Sequence, residues 1–135
     1  SASDVYKRQG IYNRTRENAE SLCSDLGVEA TVLTEKTIGE FIRSSQLVVN
    51  TTSLGQQEGE ANNLIDFDSL NSSAHVYDLI YNPSKTTFLR HAEKSGCSVQ
   101  NGLEMLIHQA AQSFKLWHDI MPEIEQDLMS VLGIN

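Results

Sequence analysis

Cysteine is scarce in this 135-residue sequence: Cys23 and Cys97 stand far apart with no Cys-x-x-Cys spacing. Neither a disulfide framework nor a thiolate metal site is therefore expected, and both are read as reduced thiols where a small apolar residue would serve. The four histidines, His75, His91, His108 and His118, form no His-x-x-x-His pair, and no metal is expected. Basic residues are also few. Ten Lys+Arg against 18 Asp+Glu give a formal net charge of −8. That balance argues against nucleic acid as a partner, yet a small basic cluster could hold a single phosphate group. No apolar run approaches the roughly 18 residues of a membrane span, and the N-terminus lacks a signal peptide's apolar stretch, so no membrane partner is expected and the expected location is cytoplasmic.

What is present suffices for one domain: 39% of the residues are hydrophobic, enough for a core without staples. Residues 1–9 (SASDVYKRQ) show neither apolar alternation nor a glycine turn and are read as a foreign leader, with the domain running over 10–135. Gly10-Ile11-Tyr12 reads as a strand. Ala19, Leu22, Cys23 and Leu26 then place an apolar stripe on a helix with Thr15 as N-cap and Gly27 at its end. Residues 29–33 read as a strand, Ile38, Phe41 and Ile42 as the inward side of a small helix, and Leu47-Val48-Val49 as a short buried strand. A polar turn over Asn50–Gly55 leads into a long irregular connection over 56–73.

Val76–Tyr81 (VYDLIY) is the next expected strand, closed by Asn82-Pro83. Phe88, Leu89 and Ala92 mark a helix ending at Gly96, and Ser98-Val99-Gln100 a last strand. Leu103, Leu106, Ile107, Ala110, Phe114 and Trp117 give the clearest amphipathic pattern in the chain, and Pro122 is expected to open a final helix with Met121, Ile124, Leu128, Val131 and Leu132 on one side. Strands alternating with helices imply parallel pairing and an α/β, doubly wound sheet followed by C-terminal helices.

Four places could carry chemistry. Asn13-Arg14-Thr15-Arg16 follows a strand and opens a helix, the position where a dinucleotide-binding sheet meets the adenosine ribose. No carboxylate stands there to accept from a 2′-hydroxyl, whereas guanidinium pairs with phosphate through parallel hydrogen bonds, so NADP is the natural inference. Spacing alone equally allows Arg14 and Arg16 to be solvated residues at a helix start. Thr51, Thr52 and Ser53 lie in a turn at the carboxyl end of a strand, where either a cofactor or only solvent could meet them. Asp78, between apolar neighbours, must be paired or lie near an opening. Tyr81 could offer its hydroxyl to a substrate or bond the backbone. Met105 and Gln109, four apart on a helix, share a face turned away from the centre of its apolar stripe, and suit either a flat ring with a hydroxylated ligand or ordinary packing.

Taken together, Asn13-Arg14-Thr15, Val49–Gly55 (VNTTSLG), Tyr77–Thr86 (YDLIYNPSKT) and Asn101–Leu106 (NGLEML) through Gln109-Ala110-Ala111 closely resemble shikimate dehydrogenase, from about Gly10 onward. The resemblance implies an incomplete Rossmann-like fold and NADP-dependent interconversion of 3-dehydroshikimate and shikimate, a step toward aromatic amino acids. It assigns Asn13, Arg14 and Thr15 to the adenosine 2′-phosphate. Thr51, Thr52 and Ser53 fall to the cofactor, Leu79, Gly102 and Met105 lie beside the nicotinamide, and Tyr81 and Gln109 touch shikimate oxygens. The family often carries a further basic residue five positions after the Asn, where this chain has Asn18; Arg16 is the expected substitute.

The resemblance also implies parts that this sequence does not contain. These are an N-terminal substrate domain with a catalytic Lys and Asp, and a first strand with its glycine-rich turn. The chain is accordingly expected to hold no catalytic residue, to show no turnover by itself, and to expose an edge that invites self-association as a homodimer. An NAD-using quinate/shikimate dehydrogenase, a fused pathway enzyme and a non-catalytic nucleotide-binding module are the alternatives.

Overall fold

The computed structural model describes residues 8–56 and 65–124. In chain order these form β1 (Gln9–Tyr12), α1 (Arg16–Leu26), β2 (Ala30–Leu33), α2 (Ile38–Arg43), β3 (Leu47–Asn50), a 3₁₀ turn (Phe67–Ser69), β4 (His75–Asp78), α3 (Thr87–Lys94), β5 (Ser98–Gln100) and α4 (Leu103–His118). Alternation of short strands and helices produces the expected α/β, Rossmann-like arrangement, with every strand pair parallel. The strands form two ladders rather than one sheet: β1 pairs with β2, and β3, β4 and β5 pair in that order. Among the described residues no ladder joins β1 to β3.

One core nevertheless draws on both ladders. Leu33, Ile38 and Ile42 from the first half join Leu70, Ala74, Val76, Phe88, Leu89, Ala92 and Cys97 in a single buried cluster. The helix ends follow local chemistry. Gly27 takes the left-handed conformation at φ 60°, and its N–H reaches Cys23 and Ser24 carbonyls to stop α1. Thr86 caps α3 by accepting from the Leu89 N–H.

Several expectations need correction. Strand β4 ends at Asp78, three residues before Tyr81, because the Asp78 carboxylate accepts from the Ile80 N–H and turns the chain out of the ladder. Strand β3 is covered on one face only: Val48 and Asn50 point inward, whereas Leu47 and Val49 are exposed. The apolar stripe of α1 buries only Ala19, leaving Leu22 and Leu26 in solvent. Helix α4 buries only Ala111, since no other described strand or helix packs closely along it; Phe114, Leu116 and Trp117 are exposed. Thr15 occupies the N-cap of α1, but its hydroxyl makes no capping bond. No helix begins at Pro122, since residues 121–124 are irregular and Met121 is exposed. Leu128, Val131 and Leu132 lie outside the described residues, as do residues 1–7 of the expected leader and residues 57–64 of the long connection.

Candidate functional site

Parallel pairing delivers successive strands to the same end, and the candidate residues stand at those ends. The register Tyr12↔Leu33 sets the exits of β1 and β2 side by side. Between them lies an open cleft of about 370 Å³ lined by Tyr12, Asn13, Arg14, Arg16, Leu33, Thr34, Glu35 and Lys36. Asn13 shapes its floor, since its side-chain oxygen accepts from the Thr15 N–H at 2.9 Å and turns the chain into α1. Arg14 is exposed, and its guanidinium has neither an ion pair nor a hydrogen bond among the described residues. Arg16 also lines the cleft, but its Nε is held by Glu20 Oε1 at 2.7 Å, one turn along α1. Thr15 does not line the cleft.

The second ladder gathers a different set around one buried carboxylate. Asp78, fully buried, accepts through Oδ1 from Asn50 Nδ2 and the Ile80 N–H, both at 3.1 Å, and through Oδ2 from the Thr86 hydroxyl at 2.6 Å. Asn50 in turn accepts from the Thr52 N–H at 3.1 Å and the Thr52 hydroxyl at 2.8 Å. Thr52 then accepts from the Leu54 N–H at 3.2 Å. A carboxylate between apolar residues is thus satisfied entirely by hydrogen-bond donors, and those bonds fix the Thr51–Gly55 turn relative to the Leu79–Ile80 peptide. The Gly102 N–H donates to the Ile80 carbonyl at 3.2 Å, and Gly102 has no room for a side chain: an added Cβ would lie 2.6 Å from the Leu79 carbonyl carbon. Helix α4 therefore starts pressed against the exit of β4.

Of the residues singled out from sequence, Thr52, Leu79 and Gly102 are tied together by this network, while Asn13, Arg14 and Arg16 share the cleft. Thr51 and Ser53 sit exposed on the fixed turn. Met105, Tyr81 and Gln109 are exposed, and neither the Tyr81 hydroxyl nor the Gln109 amide has a hydrogen bond among the described residues. Sequence reasoning named the Asn50–Gly55 turn but not the bond from Asn50 to Asp78, and it missed Thr34, Glu35 and Lys36. The signal for the last three was available, because residues just past a second parallel strand must face those just past the first.

Known proteins resemble the chain in sequence and in fold. Residues 102–132 match the family described as Shikimate 5'-dehydrogenase C-terminal domain. A shikimate dehydrogenase (NADP(+)) from Cereibacter sphaeroides is 40% identical over 117 residues, covering 87% of this chain and 42% of the relative. One from Rhizobium rhizogenes is 39% identical over 122 residues, 90% of this chain and 42% of the relative. Among solved structures, shikimate 5-dehydrogenase from Listeria monocytogenes, in complex with shikimate and NAD, superposes with a TM-score of 0.81 at 27% identity over 94% of this chain and 47% of that one. The Thermus thermophilus enzyme, in complex with NADP(H) and shikimate, gives 0.70 at 30% identity over 84% and 41%. The chain spans about two fifths of the length of the curated relatives it matches. By sequence and by fold, the chain is similar to the matching two fifths of shikimate dehydrogenases.

Proposed function

We propose that this chain forms the nucleotide-binding part of an NADP-dependent shikimate dehydrogenase, a cytosolic oxidoreductase that interconverts 3-dehydroshikimate and shikimate. The observation that carries the reading is the cleft at the exits of β1 and β2. It contains cationic side chains, including an Arg14 guanidinium without an anionic partner among the described residues, where an NAD-specific sheet would place a carboxylate. That donor set fits the 2′-phosphate of NADP. The relatives' names, shikimate dehydrogenase (NADP(+)), point the same way.

In this reading the bound nicotinamide supplies hydride exchange with the substrate carbon, and the chain's own residues bind and orient. Arg14 pairs with the 2′-phosphate, and Asn13 and Thr15 set the turn that presents it. Thr51 and Ser53 offer hydroxyl and backbone donors to the cofactor from a turn that Thr52, whose own N–H and hydroxyl donate to Asn50, holds in place beside it. Leu79 and Gly102, packed closely against each other, back the ring, with Met105 beside it. Tyr81 and Gln109 contact substrate oxygens. Acid–base groups for the hydroxyl belong, in this proposal, to the part of the enzyme corresponding to the relatives' length outside the match.

Calorimetric titration of the chain with NADP and NAD tests the reading. NADP should bind weakly but measurably more tightly than NAD, and Arg14→Ala should cost about 1.5–3 kcal/mol for NADP and little for NAD. Equal losses for both nucleotides would remove Arg14 from a phosphate site. One observation favours a second reading, an enzyme accepting NAD: Glu35 lines the same cleft, and a carboxylate accepts readily from a ribose hydroxyl. A preference for NAD in the same titration would select it.

A further inference from the structure

We propose that Lys36 is the second cation of the phosphate site and, with Arg14, sets the preference for a 2′-phosphorylated nucleotide. The proposal rests on the reading of the cleft given above. Three cations and one carboxylate line that cleft. Arg16 is already engaged by Glu20 at 2.7 Å, and Asn18 is neutral, so neither offers α1 a free second charge. Lys36 does. It has no ion pair or hydrogen bond from its ammonium group among the described residues.

The backbone explains how Lys36 comes to line the same cleft as Arg14. Tyr12 pairs with Leu33, so Asn13 and Thr34 leave the ladder at the same level, and Arg14 and Glu35-Lys36 follow one and two residues later. The turn holding Lys36 is pinned at both ends. The Thr34 N–H donates to the Thr37 hydroxyl at 2.9 Å, and the Thr37 and Ile38 N–H groups donate to the Thr34 carbonyl at 3.0 and 2.9 Å. A lysine on such a turn presents its charge from a fixed root. A guanidinium and an ammonium lining one cleft suit a shared dianion, the first by paired hydrogen bonds and the second as a point charge. Glu35, adjacent to Lys36, works against a phosphate and so sharpens the dependence on both cations.

The test is isothermal titration of the chain with 2′,5′-ADP and with 5′-AMP, which differ only in the 2′-phosphate. Lys36→Ala should weaken 2′,5′-ADP about five- to tenfold while changing 5′-AMP less than about twofold, and Lys36→Arg should restore most of the loss. The salt dependence of 2′,5′-ADP binding should also become shallower in Lys36→Ala, a change that a merely structural role would not produce. Glu35→Gln should tighten 2′,5′-ADP. If Arg14→Ala loses 2′,5′-ADP and Lys36→Ala does not, the Lys36 assignment falls and the phosphate reading stands. If the unmodified chain binds the two probes equally, or neither, both fall together.

Discussion

Replacing Thr86 by valine exchanges one hydroxyl for a methyl group at a fully buried site and keeps the side chain's shape. Two interactions vanish. The hydroxyl donates to Asp78 Oδ2 at 2.6 Å and accepts from the Leu89 N–H at 3.3 Å as the cap of α3. A hydrogen bond to a charged group contributes about 1.5–3 kcal/mol and a cap about 1, and the two share an atom, so the sum is bounded at about 2.5–4 kcal/mol. Asp78 would retain Asn50 and the Ile80 N–H on its other oxygen, with no partner for Oδ2 among the described residues. Thr86→Ser keeps the hydroxyl and loses a methyl group, costing about 1 kcal/mol. Urea unfolding followed by far-ultraviolet circular dichroism should therefore lower the midpoint of the valine variant well below that of the serine variant, with unchanged slopes. A serine variant less stable than the valine variant would mean that packing, and not the buried carboxylate network, holds this end of the ladder.

Other consequences are as direct. Gly102→Ala should destabilise by about 2–3 kcal/mol in the same assay, because its Cβ would meet the Leu79 backbone and the first turn of α4 would have to move; unchanged stability would mean that the two segments are not in contact. Iodoacetamide in mildly alkaline buffer should alkylate Cys23 well before Cys97, since Cys97 is buried and burial pushes its thiol pKa up; equal rates by peptide mass spectrometry would contradict that burial. Burial first, and Glu104 second, raise the Tyr77 phenol, so the folded chain keeps a proton that the unfolded chain releases. Stability from this group is complete below the ordinary tyrosine range and declines as pH climbs through the folded value, and Tyr77→Phe should flatten that alkaline decline.

Element type was legible from the sequence where a side chain's preference and its surroundings agree. Ile38, Ile42, Phe88, Leu89 and Ala92 were read as inward and are buried, and Gly27 was read as a stop and is left-handed. The failures have a common cause. Period alone reports which face of a helix is apolar and says nothing of whether anything covers it, and the stripes read on α1 and α4 are exposed over Leu26, Phe114 and Trp117. Asp78 was correctly judged to need partners, but their identities, Asn50 and Thr86, lie 28 and 8 residues away and follow only from the register Asn50↔Asp78. Arg14 and Arg16 were indistinguishable by spacing; the Glu20 contact separates them. Lys36 was missed because it belongs to no local pattern and joins Arg14 only through the parallel pairing of β1 with β2.

That last case shows what parallel pairing contributes to recognition. In an antiparallel ladder, the residues after one strand lie at the opposite end from those after its neighbour, so a site there has to be drawn from a strand's end and another's beginning. Here Tyr12↔Leu33 makes the outgoing segments of β1 and β2 neighbours, and Asn50↔Asp78 and Tyr77↔Gln100 do the same for β3, β4 and β5. Each ladder therefore concentrates several exits at one end, and polar side chains there can converge without any motif in the sequence. Under the proposed reading, the chain's overall charge of −8 is no obstacle to an anionic ligand, because a phosphate in the cleft would meet Arg14 and Lys36, with Glu35 the one carboxylate that lines it. Charge of the opposite sign on distant surfaces is screened within roughly 8 Å at physiological ionic strength, so the local cations decide the affinity and the remaining acidic surface chiefly slows approach.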